Sequence, residues 1–137
     1  MNYYAKIVKK DGCFLVSFPD HKNINTYGET IDKAVHNASE ALNGAMESDF
    51  TRGFELPVAR EYKGSTYYKI PVMPHLEIAY TLRKMRVGKS QMQIAHSLGI
   101  SYQAYQKLEN PRMCNPTIKT LEKISSVFGR RLEVTFS

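Results

Sequence analysis

The 137-residue sequence predicts an α+β fold: a first half of β-β-β-α-β order, then an all-α second half that closes on one terminal β-strand. Three observations carry this expectation. Apolar residues alternate with a period of two in residues 3–10, 13–18 and 131–136, but recur at three- and four-residue spacing in 31–46 and across 76–128. Turn and cap signals, among them Asp11-Gly12, Gly28-Glu29-Thr30, Ser90 and Ser101, fall between these runs. Charge is divided unevenly. Residues 1–70 hold nine basic and nine acidic side chains, residues 71–137 hold ten and four, so the entire formal net charge of +6 lies in the second half. A neutral half joined to a basic half predicts two domains, 1–71 and 72–137, the second facing a polyanion.

Composition excludes several classes. A hydrophobic content of 42% with nine Tyr and six Phe is ample for a packed core. No apolar run approaches the ~18 residues of a membrane span. The opening Met1-Asn2-Tyr3-Tyr4-Ala5-Lys6 lacks the order of a secretory signal. Cys13 and Cys114 sit in opposite halves, which argues against a disulfide framework or a zinc site. A cytoplasmic protein with no cofactor, no metal and no membrane contact is expected.

In residues 3–10, Tyr4, Lys6 and Val8 fall on one side and Tyr3, Ala5 and Ile7 on the other. Asp11-Gly12 is a hairpin turn dipeptide, and residues 13–18 return as a strand with Phe14, Val16 and Phe18 on one face, ended by Pro19-Asp20. A third strand is expected at 24–27, closed by Gly28. Thr30 is a good N-cap and Asp32 suits the positive end of a helix dipole. Ala34, Val35, Ala38, Leu42, Ala45 and Met46 then make an amphipathic helix of about four turns. Residues 48–65, with Gly53, Pro57 and Gly64, read as a long connection and 66–70 as a fourth strand.

This order, with Gly12-x-Phe14-x-Val16-x-Phe18-Pro19-Asp20 and Tyr27-Gly28-Glu29-Thr30-x4-Val35-x2-Ala38, resembles the HicB antitoxin family over residues 3–71. The resemblance implies a truncated RNase H-like domain that binds a HicA-type toxin, a small RNA-cleaving protein. Because the partner in such families is basic, Phe18, Pro19, Asp20 and Glu29 are the residues expected to meet it. Catalysis is not expected. A two-metal nuclease needs convergent carboxylates, usually one in the middle of the first strand, and residues 3–9 contain none. His21, His36, His75 and His96 read as surface residues rather than ligands.

Pro71 and Pro74 bracket the junction between halves. Residues 76–85 follow as a helix with Ile78, Ala79, Leu82 and Met85 inward, ended by Val87-Gly88. Ser90-x-x-Gln93 is a capping box for a helix over 91–98 carrying Ile94, Ala95 and Leu98, which stops at Gly99. Ser101 caps a third helix with Tyr105 and Leu108 inward. Asn115-Pro116 is the cap-plus-proline start of a fourth, with an inner stripe of Ile118, Leu121, Ile124 and Phe128 and a stop at Gly129.

The stretch 91–109 resembles the helix-turn-helix of the Xre/Cro/lambda-repressor family, its buried positions matched by Ile94, Ala95, Leu98, Gly99, Ile100, Tyr105 and Leu108. A small Ala95 lets two helices approach, and Gly99 permits the turn between them. Tyr105 departs from the β-branched aliphatic usual there. By position the resemblance makes Tyr102, Gln103, Lys107 and, less directly, Gln106 readers of base edges, Gln with adenine and Lys with guanine. Gln91 matches a phosphate-anchoring position, and Lys89, Ser90 and Arg112 are further DNA-backbone contacts.

The alternating tail 131–136 needs a strand partner. In HicB proteins with this kind of DNA-binding domain it pairs with a second subunit, so Leu132, Val134 and Phe136 are expected to hold a homodimer or higher oligomer. The whole chain then reads as an antitoxin that neutralises a HicA-type toxin and represses its own operon at operator DNA. The alternative is a stand-alone helix-turn-helix transcription regulator with an N-terminal ligand-sensing domain.

Overall fold

The computed structural model describes residues 1–137, which divide into two compact units, Met1–Glu77 and Ile78–Ser137. In the first unit the predicted order is realised as β1 (Asn2–Lys10), β2 (Cys13–Ser17), β3 (Asn25–Gly28), α1 (Ile31–Thr51) and β4 (Tyr67–Pro71). The strands form one antiparallel sheet in the order β3-β2-β1-β4. The β1–β2 turn places both Asp11 (φ 53°) and Gly12 (φ 82°) in the left-handed region, the geometry that matches a two-residue hairpin to strand twist.

Period-two alternation sends Tyr3, Ala5, Ile7, Val16 and Ile70 to one face, where they are buried. α1 covers that face with Ala34, Ala38, Leu42, Met46 and Phe50. The Thr30 hydroxyl accepts from the Lys33 amide at 3.2 Å and starts the helix as expected.

α1 runs about a turn and a half past its expected end, to Thr51. No breaker intervenes before Gly53, and Phe50 continues the buried stripe. The extra turn also carries Asp49, whose carboxylate meets His21 Nε2 at 3.0 Å, so His21 is a half-buried partner of α1 and not a surface residue. His36 likewise pairs with Glu40 at 3.2 Å, one helical turn on.

A buried Asn43 joins α1 to the residues that follow β4. Its Nδ2 donates to Ser39 O (2.9 Å) and Pro71 O (3.3 Å), and its Oδ1 accepts from Met73 N (2.7 Å). Val72 is buried, and its amide donates to Met1 O at 2.9 Å. These bonds tie the residues after β4 to the first unit, whose contacts extend to Glu77, inside α2 (Pro74–Met85). An Asn within an apolar helical run gave no sign of partners 28 and 30 residues away.

The second unit continues α2 and adds α3 (Gln91–Leu98), α4 (Tyr102–Leu108) and α5 (Ile118–Val127). Leu82, Ile94, Ala95, Tyr105, Leu108 and Ile124 form its core, with Ile78, Met85, Leu98, Ile100, Val127 and Phe128 packed around them. Two expectations about α5 are corrected. Thr117 is its cap, accepting the Thr120 amide at 3.1 Å, and Asn115-Pro116 precedes the helix. Ile118 is 56% exposed, off the inner stripe.

Residues 131–137 form neither strand nor helix in the single chain, and Phe136 is fully exposed. No helix is long and apolar enough to cross a membrane.

Candidate nucleic-acid interface

The two central helices of the second unit are fixed end to end by short-range bonds that the sequence specifies. Ser90 Oγ accepts from Gln93 N (3.1 Å), while Gln93 Oε1 accepts from Ser90 N (2.8 Å), completing the capping box. Gly99 adopts φ 69° at the end of α3, and the Ile100 amide turns back to Ala95 O at 3.1 Å. Ser101 Oγ then accepts from Ala104 N at 3.1 Å and opens α4. The αL residue makes the chain change direction within three residues, so α3 and α4 pack through Ile94, Ala95, Tyr105 and Leu108.

This packing leaves one side of α4 in solvent. Tyr102, Gln103, Gln106 and Lys107 are all exposed, whereas Tyr105 and Leu108, on the opposite side, are buried. Two amides, a phenol and an ammonium on one short helical face offer the donors and acceptors that read base edges.

The unit also contains a polar network that sequence reasoning missed. Arg86, just beyond α2, makes a two-pronged pair with Glu109 at the end of α4: Nε to Oε2 at 2.6 Å and Nη2 to Oε1 at 3.0 Å. Its Nη1 donates to Lys89 O at 2.9 Å, holding the α2–α3 turn. Gln91 Nε2 reaches the same carboxylate at 3.3 Å. The Glu109 side chain is only 4% exposed, so the guanidinium is its main compensation for lost water. The hydrogen bond to Glu109 raises the Arg86 pKa further, which keeps the guanidinium charged. A signal existed only in the residue types, a basic side chain after α2 and an acidic one directly after the apolar Leu108; their 23-residue separation matches no local spacing.

Tyr105 lies beside this pair. It is fully buried, and its hydroxyl lies beside the Glu109 carboxylate without completing a well-formed hydrogen bond. Burial first, and the Glu109 carboxylate second, push the phenol far above its ordinary pKa, so it stays neutral. Tyr105→Phe is therefore expected to leave stability unchanged or to raise it by up to about 1 kcal/mol, because an unmet buried hydroxyl is removed with little change in shape. Urea denaturation of both proteins checks this; a loss above about 1 kcal/mol would mean that the hydroxyl is satisfied in solution.

Comparison with known proteins bears on both units. Residues 80–134 match the family described as helix-turn-helix. Residues 2–79, more than half of the chain, match the family described as "HicB_like antitoxin of bacterial toxin-antitoxin system". The chain belongs to the HicB-like antitoxin family. A curated relative, Antitoxin HicB 1 of Photorhabdus laumondii subsp. laumondii, is 25% identical over 126 residues, covering 92% of this chain and 80% of the relative. Two solved structures are also similar. The N-terminal domain of Burkholderia pseudomallei antitoxin HicB is 26% identical with a TM-score of 0.48, covering 53% of this chain and 99% of that one. A HicA3 and HicB3 toxin-antitoxin complex contributes a chain 24% identical with a TM-score of 0.47, covering 54% of this chain and 100% of that one.

In this HicB-like chain the expected DNA-backbone residues are placed unequally. Lys89 is exposed. The Ser90 hydroxyl is engaged in the α3 cap, and Gln91 is half-buried against Glu109. Arg112 is exposed in the turn after α4, its amide donating to Asn110 Oδ1 at 2.9 Å.

The expected toxin contacts fare differently from one another. Phe18 is 2% exposed; it belongs to the core and offers no surface, because its strand face is the one that α1 covers. Pro19 and Asp20 are half-buried. Asp20 serves its own chain: Oδ2 accepts from Arg60 N (2.8 Å) and Oδ1 from the Tyr62 hydroxyl (2.7 Å), which ties down the connection before β4. That bond to Asp20 raises the Tyr62 pKa and keeps the phenol a donor. Glu29 is exposed, 3.6 Å from Lys33.

Proposed function

We propose that this chain neutralises an RNA-cleaving HicA-type toxin through its N-terminal unit and represses its own operon by binding operator DNA through its C-terminal unit. It acts by binding and not as an enzyme. The observation that carries the reading is the union, in one chain, of a region belonging to the HicB-like antitoxin family with a helix-turn-helix whose α4 presents an exposed polar face. Tyr102, Gln103, Gln106 and Lys107 read bases, while Lys89, Ser90, Gln91 and Arg112 position the unit on phosphates. The tail residues Leu132, Val134 and Phe136 pair two copies, and two helix-turn-helix units then address half-sites about 34 Å apart.

The test uses the full-length protein with two readouts. Gln103→Ala together with Lys107→Ala should lose operator discrimination in a gel shift, each well-formed base contact being worth about 1–3 kcal/mol. The same variant should still rescue cells expressing the toxin encoded by the neighbouring reading frame. Wild-type operator specificity would remove both residues from the reading set, and failure of the wild-type protein to rescue would overturn the antitoxin role. Removing residues 132–137 should give a monomer by light scattering; an unchanged dimer would refute the role of the tail.

A further inference from the structure

The even balance of charge in the first half conceals a separation. The four strands contain no carboxylate and carry Lys6, Lys9, Lys10 and Lys69, whereas α1 contains Asp32, Glu40, Glu47 and Asp49 against a single lysine, Lys33. Pleat alternation places Lys9 on the side of α1, with its ammonium 5.9 Å from the Phe14 ring. Lys6, Lys10 and Lys69 emerge on the opposite, open face of the sheet, and all three are exposed.

Strand register assembles the rest of that face. Val8 is opposite Leu15 and Leu15 is opposite Tyr27, so the three make one row across β1, β2 and β3. All are exposed, Tyr27 to 61%. The next row sets Asn25 and Ser17 beside Lys6. On the β4 side the face is already occupied: Tyr62 stacks on Tyr67, with ring centroids 5.1 Å apart, and meets Tyr4 edge-on. The β3–β2–β1 side has no such cover.

We propose that this open sheet face binds single-stranded RNA. Lysines without intervening carboxylates suit a phosphate backbone. An exposed tyrosine continuous with an apolar row suits an unpaired base, which stacks on an aromatic ring without regard to sequence. Ser17 and Asn25 place a hydroxyl and an amide in the row of Lys6, next to the apolar row, where a ribose 2′-hydroxyl needs partners. A duplex would use the lysines but could not reach the row, because its bases are stacked inward. An acidic protein surface would likewise use only the charges. Neither toxin neutralisation nor operator binding is required for this activity, and its surface shares no residue with α4.

The experiment is fluorescence anisotropy of the full-length protein with a labelled mixed-sequence RNA of about 12 nucleotides at low salt. Lys6→Glu combined with Lys10→Glu, and separately Tyr27→Ala, should each weaken binding about tenfold or more. Both changes are at exposed side chains, and circular dichroism will show the fold retained. Gln103→Ala combined with Lys107→Ala should leave RNA affinity unchanged. Absence of binding, or equal affinity in the sheet variants, overturns the proposal, as does loss of binding in the α4 variant. Equal affinity for DNA of the same sequence removes the ribose contact and overturns the choice of RNA. Competition by polyglutamate as effective as that by unlabelled RNA would show an acid-binding surface instead.

Discussion

Arg86→Ala should destabilise the C-terminal unit by about 3 kcal/mol and abolish operator binding at temperatures where the wild-type protein binds. The cause is the carboxylate left behind. Glu109 is nearly inaccessible to water, and without the guanidinium its one remaining side-chain donor is Gln91 at 3.3 Å. Breaking a buried pair from one side costs about 3–5 kcal/mol; the lower end applies here because Arg86 itself keeps 22% of its side chain in solvent. The bond from Arg86 to Lys89 O is lost as well, and with it the clamp on the turn that introduces α3. Against a typical total of about 5–15 kcal/mol, the loss is large.

The double variant Arg86→Met with Glu109→Leu separates the two contributions. Replacing both members with apolar groups of similar size removes the stranded charge, so much of the stability should return. Thermal unfolding followed by the helical circular dichroism signal measures all three proteins. An unchanged midpoint in the single variant would show that the pair contributes nothing. Recovery of stability in the double variant without recovery of operator binding would identify Gln91, which the carboxylate holds, as a positioned contact.

Gly28→Ala should be the most damaging single methyl in the N-terminal unit, at about 3 kcal/mol or more. A Cβ built on Gly28 would lie 2.3 Å from the Ala34 amide nitrogen and 2.7 Å from both Ala34 Cα and Lys33 C. These are backbone atoms of the first turns of α1, so no side chain can rotate away. Either the helix lifts from the sheet or β3 leaves its ladder, and overpacking of a dense core resists both. Gly44→Ala is the control. Gly44 is exposed in the middle of α1 with nothing within 4 Å of its Cβ position, so alanine there should stabilise by about 0.5–1 kcal/mol through helix propensity. Opposite signs for the same change in denaturant titrations are expected. A tolerated Gly28→Ala would mean that α1 does not approach the strand this closely in solution.

Gly28 also shows how far local reading extends. As a strand terminator it was legible, because the Gly-Glu-Thr run ends one pattern and caps the next. That its missing side chain is what lets α1 settle on β3 was not legible, since the contact depends on how two elements pack. The same contrast holds in the second unit. The Ser90 capping box, the left-handed Gly99 and the Ser101 cap are local bonds between residues three to five apart, and each formed where expected. The Arg86–Glu109 pair, the Asn43 latch and the Asp20 clamp on Arg60 and Tyr62 join residues 23 to 42 apart, and none was anticipated.

By itself the sequence determined the α+β order, the turns, three of the four predicted helix N-caps and the side of α4 that remains in solvent. All of these follow from periodicity and short-range hydrogen bonding, which act within a turn or two of chain. Tertiary structure decided what those rules do not reach. It sent Phe18 into the core, gave Asp20 to its own chain, drew residues 72–77 into the first unit, and sorted a neutral half into an acidic helix and a lysine-bearing sheet. The physical reason is common to all four: burial, pairing and the sign of a surface depend on which strand or helix lies opposite, and that neighbour is chosen only when the chain packs.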